Sequence, residues 1–130
     1  MGRIMGIDWG EKFVGIALSD PSKVLATGYR TLPFENFEEL FKEIKRIVEE
    51  KGVEKIVVGL PKRTDGKKGW VEEKVREFAE KLKLFLKKEV KLWDERYSTL
   101  IAQEYTQDKN KVHLLAAEII LQSYLESLRK

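Results

Sequence analysis

Apolar positions follow two different periods along the chain. From Arg3 to Leu32 they come as short runs and loose alternations, the signature of strands. Arg3–Trp9 reads as a mostly buried strand closed by Gly10, and Phe13–Leu18 as its hairpin partner ending at Ser19-Asp20-Pro21. Val24–Leu32 reads as a third, so the opening is an antiparallel meander. From Asn36 the period changes. Phe37, Leu40, Phe41, Ile44, Ile47 and Val48 share one helical face, with Asn36 as N-cap, Glu39 at the capping-box position and Gly52 as terminator. Lys55–Pro61 reads as a buried parallel strand.

The loop from Lys62 to Gly69 carries an Asp-Gly turn signal. Val71, Val75, Phe78, Ala79, Leu82, Phe85 and Leu86 then mark a second amphipathic helix, and Val90–Asp94 a fifth strand. Ser98 or Thr99 caps a short helix, Thr106–Lys111 reads as a loop, and Val112–Leu128 as the last helix. The order of main elements is β-β-β-α-β-α-β-α. The second half requires parallel strands with right-handed crossovers. A meander leading into such a unit is the ribonuclease H-like order. The expected fold is therefore α/β, with a five-stranded mixed sheet, helices packed on it, and one domain over residues 1–130.

Composition narrows the chemistry. The chain has no cysteine, which excludes disulfides, thiolate metal sites and a cysteine nucleophile, and suits a reducing cytoplasm. No apolar run is long enough to span a bilayer, and the N-terminus runs into a strand pattern with no signal-peptide region, so no membrane partner is expected. The net charge of +3 permits a nucleic-acid partner without arguing for one, so the placement of the basic residues matters more than their sum.

Three residues stand out as candidate chemistry. Asp8 lies at the carboxyl end of a buried strand, where sites form in open α/β sheets. Gly6 and Gly10 leave room there for a ligand or another backbone. A turn cap explains Asp8 equally well. Asp94 and Glu95 end the fifth strand and face opposite ways; Glu95 is the one expected at the site. His113, the sole histidine, shares a helical face with Ala116, Ala117 and Ile120. It reads either as a helix-terminal residue bonded to backbone or as a nitrogen donor completing an oxygen-rich metal site. Acids converging from strand ends, with one donor from a final helix, make a minimal two-metal phosphodiesterase site. Lys12, Lys62, Arg63, Arg96 and Lys111 fall on predicted loops at that end and are the expected phosphate contacts. Trp9, Trp70, Trp93 and Tyr97 are candidates for stacking on bases, with packing as the commoner fate.

Read together, Gly6-Ile7-Asp8-Trp9-Gly10, Val57-Val58-Gly59-Leu60-Pro61, Asp94-Glu95-Arg96 with Ser98-Thr99, and Ala116-Ala117 with Ile120-Leu121-Gln122-Ser123-Tyr124-Leu125 resemble the YqgF family. These are the pre-16S rRNA nucleases also called Holliday-junction-resolvase-like proteins. The resemblance implies a ribonuclease H-like fold and a nuclease dependent on Mg2+ or Mn2+. It also implies action in the cytoplasm on the 5′ end of ribosomal RNA precursor, as monomer or homodimer. Asp8 and Glu95 match the two strand-end acids of the family. His113 stands where the family usually has Asp, and the stretch between Thr99 and Val112 is shorter than usual. Two other readings remain open at this point: a resolvase of branched DNA, and a nucleic-acid-binding module of little activity.

Overall fold

The computed structural model describes residues 2–61, 69–95 and 98–129, with the side chains of residues 95, 98–100, 109 and 110 outside the description. Five strands and four helices follow in order. They are β1 (Arg3–Trp9), β2 (Phe13–Ser19), β3 (Ala26–Pro33), α1 (Phe37–Lys51), β4 (Val53–Pro61), α2 (Gly69–Leu86), β5 (Glu89–Glu95), α3 (Ser98–Tyr105) and α4 (Lys109–Ser127). The expected order holds, with the short α3 standing as an element of its own before α4. The sheet order is β3-β2-β1-β4-β5. β1 and β3 each pair antiparallel with β2, while β1–β4 and β4–β5 are parallel.

Alternation along the strands builds a core on each face. Met5, Ile7, Trp9, Ile16, Ile56 and Val58 pack with α1 and α2 through Phe41, Ile44, Phe78 and Leu82. On the other face Ile4, Ala17 and Val57 meet Ala117, Ile120, Leu121 and Leu125 of α4. Asp8 alternates onto this second face. α3 packs on α4 through Ala102, Val112 and Ala116. Each face is thus covered by helix, α1 and α2 on one side and α4 on the other, which buries the parallel strands on both faces.

The caps of α1 are the ones its sequence calls for. The Asn36 side chain accepts a hydrogen bond from the Glu39 amide at 2.9 Å, and Gly52 adopts the left-handed conformation at φ 64°. Some boundaries, and the burial of one residue, differ from expectation. β3 starts at Ala26, because Val24 and Leu25 lie in the turn after β2 and are exposed. That turn is organised by Asp20, whose carboxylate accepts from the Val24 and Leu25 amides. α4 starts at Lys109, so the second half of the expected loop Thr106–Lys111 is helix and Lys111 sits in the first turn of α4. Phe85 is partly exposed at the rim of the α1–α2 packing, with its ring 5.6 Å from that of Phe41.

Candidate active site at the carboxyl ends of the parallel strands

β1, β4 and β5 run parallel, so their carboxyl ends share one edge of the sheet. Asp8 is the penultimate residue of β1 and is 1% exposed. A carboxylate so deeply buried needs a partner. It has one, since His113 Nδ1 lies 2.8 Å from Asp8 Oδ2. The two residues are 105 positions apart in sequence. A neutral imidazole protonated at Nδ1 would donate this bond and keep its lone pair at Nε2.

The pair forms because α4 lies almost on the backbone of the hairpin. A Cβ built at Gly15 would come within 2.0 Å of the His113 carbonyl oxygen, so no side chain fits there. At Gly10 a Cβ would fall 2.6 Å from His113 Cε1 and 3.0 Å from Nε2, which puts the imidazole edge over the β1–β2 turn. At Gly6 it would meet Leu121 Cβ at 2.6 Å. Of the two occupants that sequence patterning allows at Gly6 and Gly10, a ligand or another backbone, it is α4 that takes the room. His113 is carried on the stripe that also bears Ala116, Ala117 and Ile120, all three buried. The Phe13 ring lies beside the imidazole, with centroids 6.4 Å apart.

Glu95 is the last residue of β5 and pairs with Pro61, the last of β4. Asp94 is exposed and pairs with Leu60. Lys12 is exposed in the β1–β2 turn, and Lys111 is exposed in the first turn of α4, two residues before His113. Both are at the Asp8 end. Lys62, Arg63, Arg96 and Tyr97 lie outside the described residues. Among the described residues no group of three or more His, Cys, Asp or Glu is placed to hold a metal ion.

The aromatic candidates divide. Trp9 is buried against α1 and α2, and its Nε1 has no hydrogen-bond partner. Trp93 is packed edge-on to Tyr124 and donates through Nε1 to Ser123 Oγ at 3.2 Å. Trp70 alone of the three tryptophans is exposed. What sequence reasoning missed is Gly15. It lies in mid-strand with no turn to justify it, and that is the signal of a close backbone approach.

A family model described as "RuvX: Holliday junction resolvase" matches residues 2–127. The chain belongs to the RuvX family. Curated relatives agree along nearly the whole length. A "Putative pre-16S rRNA nuclease" of Caldanaerobacter subterraneus subsp. tengcongensis is 43% identical, covering 96% of each chain. One of Clostridium tetani is 42% identical, covering 97% of each. Among solved structures, Thermus thermophilus RuvC in complex with a Holliday junction superposes with a TM-score of 0.62 at 9% identity, over 99% of this chain and 96% of that one. Fowlpox virus resolvase with Holliday junction DNA gives 0.56 at 17% identity, over 98% and 99%. At such identities the likeness speaks for the fold alone, and that fold is ribonuclease H-like. In this RuvX-family chain the Asp8–His113 pair thus occupies the carboxyl-end edge of a ribonuclease H-like sheet.

Proposed function

We propose that this chain is a nuclease that hydrolyses phosphodiester bonds in nucleic acid, with residues 1–130 working as one domain in the cytoplasm. Its substrate on this reading is pre-16S ribosomal RNA, which the names of its curated relatives carry, cut at the 5′ end. The carrying observation is the buried Asp8 carboxylate bonded to His113 at the shared carboxyl end of three parallel strands. No helix among the described residues is long and apolar enough to cross a membrane.

The donors fit a divalent cation in kind. A carboxylate oxygen and an imidazole nitrogen meet at this edge, and the chain offers no thiolate. Asp8, His113 and Glu95 would hold Mg2+ or Mn2+. Glu95 closes β5, the third of the parallel strands that end at this edge. Two strand spacings separate β1 from β5, about 10 Å, with β4 between them. A bound cation would generate the attacking hydroxide and offset charge in the transition state.

The protein's own part is positioning. In the metal-free chain Asp8 holds the imidazole ring in place at this edge through Nδ1. α4 and the Gly10 turn hold that ring rigidly. Lys12 and Lys111, exposed on either side, contact backbone phosphates, joined on this reading by Lys62, Arg63 and Arg96.

A second reading, resolution of branched DNA, is favoured by the description of the family. A precursor RNA carrying the 16S 5′ leader and a four-way DNA junction, each incubated with Mg2+ or Mn2+, separate the two. Cleavage of RNA by wild type and none by Asp8→Asn supports the first, and the same contrast on the junction alone supports the second. Binding without cleavage on either substrate leaves only a nucleic-acid-binding module. Equal activity in both proteins would overturn the site assignment.

A further inference from the structure

A second concave site lies at the other end of the sheet. The carboxyl end of α1 and the β2–β3 ribbon enclose a cleft of about 310 Å³, lined by Arg3, Ser19, Asp20, Thr27, Tyr29 and Lys51 among others. Arg3 opens β1 and Asp8 nearly closes it, so the cleft is about 17 Å along the strand from the Asp8–His113 pair. It lies on the α1 side of the sheet, away from α4.

Two cations, Arg3 and Lys51, line this cleft, and Arg30 lies next to its Tyr29. Along the helices Lys42, Arg46, Arg76 and Lys81 are each ion-paired within their own helix. Arg3, Arg30 and Lys51 make no ion pair among the described residues. They are instead held in place by neutral groups. Arg3 donates from Nη1 to the Lys51 carbonyl at 3.0 Å. The Arg30 guanidinium and the Lys51 ammonium both lie over the Tyr29 ring, 5.0 and 5.5 Å from its centroid. The carboxylate in the lining, Asp20, makes no ion pair with them among the described residues. It already accepts from Ser22 Oγ and from the amides of Val24 and Leu25 at 2.8 and 2.9 Å.

We propose that this cleft is a phosphate-binding site, with Arg3 and Lys51 as its charged donors and Arg30 beside them. A guanidinium fork and an ammonium point charge, fixed on different elements, suit a tetrahedral oxyanion. The phosphate belongs either to a nucleic-acid backbone or to a free nucleotide. The site does not depend on the nuclease reading, since it shares no residue with the Asp8 edge.

The test is an amide NMR titration in EDTA, so that no divalent ion engages Asp8. Inorganic phosphate, AMP and a short single-stranded RNA are each added at constant ionic strength, with chloride as control. The amides of Arg3, Gly28, Tyr29 and Gly52 shift in wild type and in Asp8→Asn, and not in the Arg3→Gln/Lys51→Gln double variant. Lys51→Gln alone serves if the double variant is misfolded. Shifts with all three ligands assign a general phosphate site. Shifts with RNA alone assign the polynucleotide backbone, and the double substitution then lowers the salt dependence of RNA binding by about two in slope. Absence of shifts with every ligand, equal shifts with chloride, or shifts that survive the substitutions would overturn the proposal. A failure here leaves cleavage at Asp8 intact, and a failure of cleavage leaves these shifts intact.

Discussion

The carbonyl oxygen of His113 occupies the place where a side chain on Gly15 would begin, 2.0 Å from an ideal Cβ. A main-chain contact of this kind cannot be relieved by turning a rotamer, so any Cβ must push α4 off β2. Gly15→Ala should therefore cost about 1–3 kcal/mol of stability, as overpacking does. It should also lengthen the Asp8–His113 contact and reduce cleavage more than stability loss explains at a temperature where the variant is folded. Urea unfolding with single-turnover cleavage checks this, and a variant as active and stable as wild type would refute the close approach.

The pair itself predicts a difference between two replacements of His113. His113→Ala leaves a buried carboxylate without its donor, which costs about 1–3 kcal/mol with or without metal. His113→Asp, the usual residue of the YqgF family, sets two carboxylates together, so the apo protein is destabilised by like-charge repulsion and the metal-loaded one recovers. Melting temperatures with and without Mn2+ read this directly. Recovery of the Ala variant to the same extent would show that position 113 does not face the cation.

Acid stability should depend on the Asp20 turn. The hydrogen bond from Ser22, followed by those from Leu25 and Val24, holds the Asp20 carboxyl well below its ordinary value of 3.8. A depressed carboxylate contributes stability above its unfolded value and loses it as pH falls toward the folded one. Asp20→Asn should thus melt below wild type at neutral pH, and the gap should narrow as pH falls below about 4. A pH series of melting curves tests the sign, and a gap that widens in acid would contradict it.

The opposite sign applies at Lys55. Partial burial pulls its ammonium down, but the hydrogen bonds to the Tyr124 hydroxyl at 2.5 Å and the Glu89 carboxylate at 3.1 Å outweigh this and hold it above 10.5. Its contribution is fully present below pH 10.5 and is lost as pH rises beyond. Tyr124→Phe should lower stability at pH 7 and make little difference in strong alkali. A constant difference across that range would exclude the ionic contribution.

Asn36→Ala serves as the control for all of these. Removing the cap of α1 should cost about 1 kcal/mol. It touches neither α4 nor the carboxyl-end edge, so cleavage per folded molecule should be unchanged. Loss of cleavage there would mean that activity follows global stability and not the geometry around Asp8.

Local sequence determined what local physics controls. The strand alternation that buries Met5, Ile7 and Trp9 on one side necessarily sends Asp8 to the other. The 3.6-residue stripe of α4 places His113 in line with Ala116, Ala117 and Ile120. The Asn36 and Gly52 caps of α1 follow from residue type alone. Boundaries shifted where side chains competed with pattern, as when Asp20 gathered the Val24 and Leu25 amides into a turn and delayed β3. Tertiary structure alone decided the pairing of Asp8 with His113, because the distance between two elements depends on what separates them. Gly6 and Gly10 read in sequence as room for a ligand or another backbone. Only the packed fold shows that α4 fills it, pressing its backbone onto the hairpin until an imidazole reaches a carboxylate that would otherwise be buried alone.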